Sequence, residues 1–330
     1  MEIPLHESFK DLPLIEYLAV LWPDISQRTL MSLFANGRVR SGGRPVAART
    51  LVRDLSDATV EAARDELPRI PCALPPDRAP GGAEGIEILH EDPRLIVLSK
   101  PSGLAVVPDR TRSSSSLLGF LIRREIEARE AKPPSGYVRY RIVHRLDKET
   151  SGLILAAKTP EAERGLAADF ESRRVKKEYL AILSGVVRPA LLTVNCPIVP
   201  GRKGKMRAQA RCAGAEAAGD PLTGKTATTE FQVLERFAET TLVRASPLEG
   251  RTHQIRVHAW AAGHPLAIDL VYGKHPGIER PPELRGMARL SLHALRYTLP
   301  GSWAEPRSFE CPVPPDFQKA LDSLRAARRT

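Results

Sequence analysis

Leu14, Ile15, Leu18, Leu21 and Trp22 recur three and four positions apart, the spacing that puts apolar side chains on one face of a helix. Asp24 or Ser26 then offers a cap for a second helix, "QRTLMSLFANG", with Leu30, Leu33 and Phe34 on one face and Gly37 as its stop. The following "RVRSGGRPV" reads as strand, Gly-Gly turn and strand. Residues 65–85, "DELPRIPCALPPDRAPGGAEG", break this patterning with proline and glycine and predict an extended linker. Beyond it, "IEILHED" and "LIVLSKPSG" predict two strands that meet at a turn containing Pro93. "SSSSLLGFLIRREIEAREA" predicts a Ser-capped helix and "EAERGLAADFESRR" another. "KKEYLAILSGVV" alternates as a half-buried strand, and "ATTEFQVLERF" and "TTLVRASPLEG" predict a strand pair. "HQIRVHAWAAG" predicts a short helix ended by Gly263, "LSLHALRYTLP" a strand and "PDFQKALDSLRAARR" a closing helix.

Strands in runs, with helices interspersed and little βαβ alternation, predict an α+β fold. The expected organisation is a small α+β unit over residues 1–64, a linker over 65–85 and a larger domain over 86–330. That larger domain should hold a mixed, largely antiparallel sheet flanked by helices.

Charge sharpens this picture. The 330 residues carry 49 Lys and Arg against 39 Asp and Glu, a net +10 at pH 7, which favours a polyanionic partner such as RNA. Arg28, Arg38, Arg40, Arg44, Arg49 and Arg53 fall on or beside the first elements. Residues 201–225 are polar, basic and Gly-rich, and are expected to form a mobile loop on the RNA-facing side. Cys72, Cys196, Cys212 and Cys311 form no C-x-x-C pair, so reduced thiols and no structural zinc are expected. The start, "MEIPLHESFKDLP", does not read as a signal peptide, and no apolar run approaches a membrane span, so the expected location is the cytoplasm.

The chemistry-bearing strings come next. "HRLDKETSG" sets Asp147 among His144, Arg145 and Lys148 just before a turn. On its own, Asp147 reads either as a turn residue or as a reactive carboxylate held ionised. "KKEYLAI" puts Tyr179 beside Lys176 and Lys177, and "LEGRTHQIRVHAWAAGHPLAIDLVYG" carries Arg251, Ile255 and Arg256. His144, His253 and His258 lack carboxylates at ligand spacing and read as hydrogen-bonding residues, with no metal site.

Together with "LSKPSGLAVVP", "GKTATTEF" and "LHALRYTLP", these strings resemble the signature motifs of the RluA family of RNA pseudouridine synthases, in the family's order over most of residues 86–320. "SQRTLMSLFANGRVRSGG" likewise resembles the S4 RNA-binding module, although Gln27 intervenes before Arg28 and Ser41-Gly42 stands where Asn-Gly is usual. The resemblance implies a cofactor-free isomerase of uridine in structured RNA, ribosomal or transfer, acting as a monomer. It assigns Asp147 as the nucleophile, at uracil C6 or ribose C1′, Arg251 as the cation that keeps it charged, and Tyr179 as the ring stacked on a flipped base. Arg145 would fill the space the base leaves, from the strand face it shares with Asp147, and Ile255 would pack on the base. His144 would lie against the substrate, and Lys176, Lys177, Arg256 and the 201–225 loop would contact phosphates. Ile268 stands where the family commonly has glycine and is expected to reshape the pocket rim. The alternative is an S4-bearing RNA-binding protein whose second domain has lost catalysis. A nuclease would need clustered acidic metal ligands, which the sequence does not offer.

Overall fold

The structure is a computed structural model. It describes residues 2–3, 5, 9–10, 12–22, 25–61, 85–107, 116–131, 139–201, 205–209, 224–273, 281–303 and 307–328. The first helix, α1, spans Leu14–Leu21, and α2 spans Gln27–Ala35. Ser26 caps α2 by accepting from the Thr29 amide, so the cap is Ser26, and Asp24 lies outside the described residues. Strands β1 (Val39–Ser41), β2 (Arg44–Pro45) and β3 (Thr59–Val60) form a small antiparallel sheet in the order β2-β1-β3. Gly42 and Gly43 both have positive φ and make the hairpin turn between β1 and β2.

Strands β4 (Glu87–Glu91) and β5 (Leu95–Lys100) lead into α3 (Leu117–Ala131). Next come β6 (Arg141–Ile142), β7 (Ser151–Ala157), α4 (Pro160–Glu171), β8 (Lys176–Ser184) and β9 (Leu191–Asn195). A two-stranded ribbon, β10 (Ile198–Pro200) with β11 (Met206–Ala208), precedes the hairpin β12 (Thr228–Arg236) and β13 (Thr240–Pro247). The chain ends through α5 (Gln254–Ala261), β14 (Leu292–Leu299), β15 (Arg307–Glu310) and α6 (Pro315–Ala327).

Among the described residues ten strands form one sheet, along the path β4-β5-β7-β14-β8-β13-β12-β9, with β15 on β14 and β6 on β7. Only the β7–β14 pairing is parallel in that sheet, which is the mixed, largely antiparallel α+β arrangement read from the sequence. Gly152 makes this central pairing possible: it sits at φ 116°, and a Cβ there would lie 2.2 Å from the Ala294 carbonyl oxygen.

Helix α3 joins two cores. Leu117, Phe120 and Leu121 pack into the core of the large sheet, whereas Leu118 and Ile122 complete the core of the N-terminal unit with Leu14, Leu18 and Leu33. The N-terminal unit therefore shares apolar side chains with the larger domain. The 65–85 linker, save Gly85, and most of the 201–225 loop lie outside the described residues.

Three expectations need correction. Strand β8 is buried on both faces from Tyr179 to Ser184 instead of alternating, because it lies mid-sheet between β14 and β13. Ile268 does not reach the pocket rim: its side chain packs with Leu180, Ile182 and Phe317 in a separate core. Cys196 is disulfide-bonded, since separation along the chain does not report distance in the fold, while Cys311 is a free buried thiol.

Candidate active site

Asp147 lies in the irregular stretch between β6 and β7, fastened from below by the "KPSG" segment that follows β5. Lys100 is fully buried and donates to the carbonyls of Pro101, Leu104 and Lys148 at 2.9, 2.8 and 3.0 Å. The Gly103 amide donates to the Lys148 carbonyl, and the Ser102 hydroxyl donates to the Glu149 carbonyl. The Thr150 amide closes a turn on the Asp147 carbonyl, and buried Leu146 anchors the preceding residue. Burial pushes the Lys100 ammonium down to about 7, with Glu149 and Asp147 opposing the shift.

The carboxylate of Asp147 meets Arg256, whose Nη1 donates to Oδ2 at 3.2 Å. The rest of that guanidinium is held by Asp269 through a two-pronged pair, Nε to Oδ2 at 2.7 Å and Nη2 to Oδ1 at 2.8 Å. Asp269 Oδ1 also accepts from the amides of Val271 and Tyr272. Gly273 lets the chain fold over this group, since a Cβ there would lie 2.3 Å from the Asp269 carbonyl oxygen. Burial alone would lower the pKa of Arg256 and raise that of Asp269. The pair's hydrogen bonds and opposite charges outweigh it in both, so both stay charged. One cation thus stands between two carboxylates. Asp269 fixes its plane, and one donor is left for Asp147, whose side chain is 23% exposed to the cavity. His253 stands beside them with Nε2 3.8 Å from Asp147 Oδ2.

Facing this ionic wall is an aromatic one. Tyr179 on β8 and Tyr297 on β14 share a hydrogen bond at 2.8 Å between their hydroxyls. They lie diagonally across paired strands, because Ala294 opposes Tyr179 and Tyr297 opposes Lys177. Burial pushes the Tyr179 phenol up to about 12, the Tyr297 bond opposes this and the Asp147 charge adds to it, so the ring is neutral at physiological pH. The His144 ring stacks on Phe170 at 4.4 Å and meets Tyr297 edge-on at 5.3 Å. Its Nε2 accepts from the Leu155 amide, and burial pushes its pKa down to about 3. Both walls line one cavity of about 1470 Å³, whose far side is formed by Ile15, Glu16 and Ala19 of α1.

Of the residues singled out in the sequence, Asp147, Tyr179, Arg251, Arg145, His144, Ile255, Lys177 and Arg256 all line this cavity. Lys176 does not; it is exposed at the start of β8. Arg251 does not make the expected ion pair: its Nε donates to the Thr226 carbonyl, and Arg256 holds Asp147 instead. Arg251 precedes α5, its carbonyl accepting the Gln254 amide, whereas Arg256 lies inside the helix on a buried face. For the same reason Arg256 is not a phosphate contact, being 4% exposed with its donors turned to two carboxylates. His144 is committed to a backbone amide behind the rings, and Arg145 is exposed on the connecting loop, not on a strand face shared with Asp147. Lys177 donates to the carbonyls of Leu248 and Glu249; burial lowers its pKa against the pull of the Glu249 charge, with Arg173 and Arg251 adding to the shift. Lys100, Asp269 and Tyr297 carry much of the geometry, yet composition and spacing gave them no role, and His253 was read only as a hydrogen-bonding residue. The strings "LSKPSG" and "IDLVYG" were the signals present for the first two.

Residues 94–261, which include Asp147, Tyr179 and Arg256, match the family described as RNA pseudouridylate synthase. The chain is thus an isomerase that acts on RNA. It belongs to the RNA pseudouridylate synthase family, as its signature strings implied. It is 37% identical over 244 residues to ribosomal large subunit pseudouridine synthase C of Vibrio vulnificus, spanning 73% of this chain and 70% of that protein. The Escherichia coli K12 protein of the same name gives the same identity and the same shares. Among solved structures, human RNA pseudouridylate synthase domain containing 4 matches at TM-score 0.57 and 27% identity, covering 72% of this chain and 92% of that one. Human RNA pseudouridylate synthase domain containing 1 matches at TM-score 0.53 and 27% identity, covering 74% and 95%. Among the described residues no helix is long and apolar enough to cross a membrane.

Proposed function

We propose that this enzyme converts uridine to pseudouridine in ribosomal RNA, the substrate named in the curated relatives. The observation that carries the site assignment is the Arg256 guanidinium, clamped by Asp269 and left with one donor for Asp147. The fixed guanidinium pairs with the Asp147 carboxylate and holds it in one orientation toward the cavity. The target nucleotide flips into the cavity between the ionic and aromatic walls. Asp147 holds it as a covalent intermediate while the N1–C1′ bond is broken, the uracil turns, and C5 joins C1′. Asp147 is released, the C5 proton leaves and N1 takes up a proton, so the product is an isomer of the substrate and no redox change is involved. Tyr179 stacks on the base and Ile255 packs against it.

Arg173 pairs with the buried Glu249 carboxylate at 3.1 Å, Lys177 donates to the Glu249 main-chain carbonyl, and Lys177 and Arg251 line the cavity beside them. We assign these three cations to the phosphates flanking the flipped nucleotide. Arg145 lies on the exposed loop where the emptied stack would be. Residues 1–64 act as an S4-like RNA-binding unit, the linker runs over 65–85, and 86–330 form the catalytic domain. The enzyme works as a cytoplasmic monomer.

Ribosomal and transfer RNA transcripts incubated with the protein, followed by pseudouridine mapping, test this reading. Modification of ribosomal RNA at discrete uridines, absent with Asp147→Ala, is expected. Modification of transfer RNA alone would overturn the substrate assignment, and full activity of Asp147→Ala would overturn the site.

A further inference from the structure

The chain of hydrogen bonds that ends at His253 has a direction. The Met206 amide donates to the Tyr272 hydroxyl oxygen at 2.9 Å, so that hydroxyl already serves as an acceptor. His253 Nδ1 lies 2.9 Å from the same oxygen. The phenol has one proton to give, and Nδ1 is the acceptor in reach. The pairing that satisfies the phenol's own proton has Tyr272 donating to Nδ1 and the ring proton of the neutral imidazole on Nε2. Nε2 is 3.8 Å from Asp147 Oδ2, beyond a hydrogen bond, and the side chain is 21% exposed into the cavity. An oriented N–H beside the carboxylate is thus left without a partner at hydrogen-bond distance among the described residues.

The backbone supports the same conclusion. His253 has φ 58° and ψ 21°, the left-handed region that a side-chain-bearing residue occupies only when its surroundings impose it. That conformation ends the loop before α5 and turns the imidazole toward Asp147 and Tyr272. The charged and titratable groups facing it are Asp147, Arg256, Asp269 and Tyr272. Burial, with Arg256 adding to it, lowers its pKa against the pull of Asp147 and Asp269, which agrees with a neutral ring.

We propose that His253 contacts the substrate, its Nε2–H donating to an oxygen of the nucleotide bound beside Asp147, with Tyr272 fixing the proton on that nitrogen. This rests on the reading that the Asp147 cavity receives the flipped uridine. It also gives the β10–β11 ribbon a part in catalysis, since Met206 on β11 fixes the Tyr272 hydroxyl.

The test measures single-turnover rate and RNA affinity for His253→Ala, His253→Gln, His253→Asn and Tyr272→Phe, with Asp147→Ala alongside. A glutamine amide places its N–H near the position of imidazole Nε2; an asparagine amide places it near Nδ1. His253→Ala should lose about tenfold or more in rate with near-normal RNA affinity. His253→Gln should recover most of that loss, His253→Asn should not, and Tyr272→Phe should lose several-fold as the ring proton is freed to move. A 2′-deoxyuridine at the target abolishes the alanine effect if the acceptor is the ribose hydroxyl and preserves it if the acceptor is a base carbonyl. Wild-type rate in His253→Ala, or equal recovery by Gln and Asn, would overturn the inference. So would a Gln variant that melts normally yet is as slow as Ala. If Asp147→Ala is itself fully active, the site reading fails, and the inference with it.

Discussion

The two walls of the cavity are built in different ways. The aromatic wall comes from elements that the sheet places side by side: Tyr179 and Tyr297 on paired strands, with Phe170 from α4 behind His144. Strand register brings the two tyrosines together, and burial keeps them neutral. The ionic wall comes from three segments that no strand pairing joins: the loop at Asp147, helix α5 at Arg256 and the turn at Asp269. There the contacts are made by charge, and each partner is needed to offset the desolvation of the others, a cost of several kcal/mol per ion. The aromatic wall should therefore tolerate conservative change, and the ionic wall should not.

Asp147→Asn gives the sharpest contrast. It keeps the shape and much of the hydrogen bonding but removes the nucleophile, so turnover should fall by more than about 10³-fold with RNA affinity near normal. A single-turnover assay with a filter-binding measurement separates the two. If affinity is what collapses, the carboxylate is a binding group and the contrast is lost. Asp269→Ala should come next, because it leaves a buried guanidinium half-paired: stability should drop by about 3–5 kcal/mol, read from denaturant unfolding. A loss below about 1 kcal/mol would show that Arg256 does not depend on Asp269.

On the aromatic side, Tyr179→Phe should cost only about 1 kcal/mol of stability, the worth of its bond to Tyr297. It should leave RNA affinity unchanged, whereas Tyr179→Leu should weaken turnover much further because the stacking face is gone. Equal loss in the two variants would mean the hydroxyl, not the ring, does the chemistry.

The smallest effect expected belongs to Lys177, whose pKa burial lowers to about 8. It is charged below that value and neutral above it. RNA affinity should therefore weaken by a few-fold between pH 7 and pH 9, and this dependence should flatten in Lys177→Met. An unchanged pH dependence in the variant would remove Lys177 from phosphate binding.

What the sequence made legible follows the same division. The strand that carries Tyr179 was readable from its apolar run, while the role of the ring came from the family resemblance; the α+β class followed from runs of strands with few crossover helices. The short helix at 254–261 and its stop at Gly263 were readable for similar reasons. The partner of Asp147 was not, because Arg251 and Arg256 share one string and spacing does not say which of them a helix will turn inward. Nor was the role of Lys100, whose three acceptors are backbone carbonyls that no side-chain pattern records. Ile268 misled in the opposite direction: its place in a motif suggested the pocket, while the fold points its side chain into a core.

The most direct test sets the two arginines side by side. Single-turnover rate and RNA affinity should be measured for Arg256→Met and Arg251→Met at neutral pH. With Arg256 holding the carboxylate, Arg256→Met should lose orders of magnitude in rate while still binding RNA. Arg251→Met should keep its rate constant and lose RNA affinity together with part of the salt dependence of binding. The reverse pattern, a silent Arg256 and an indispensable Arg251, would contradict the account.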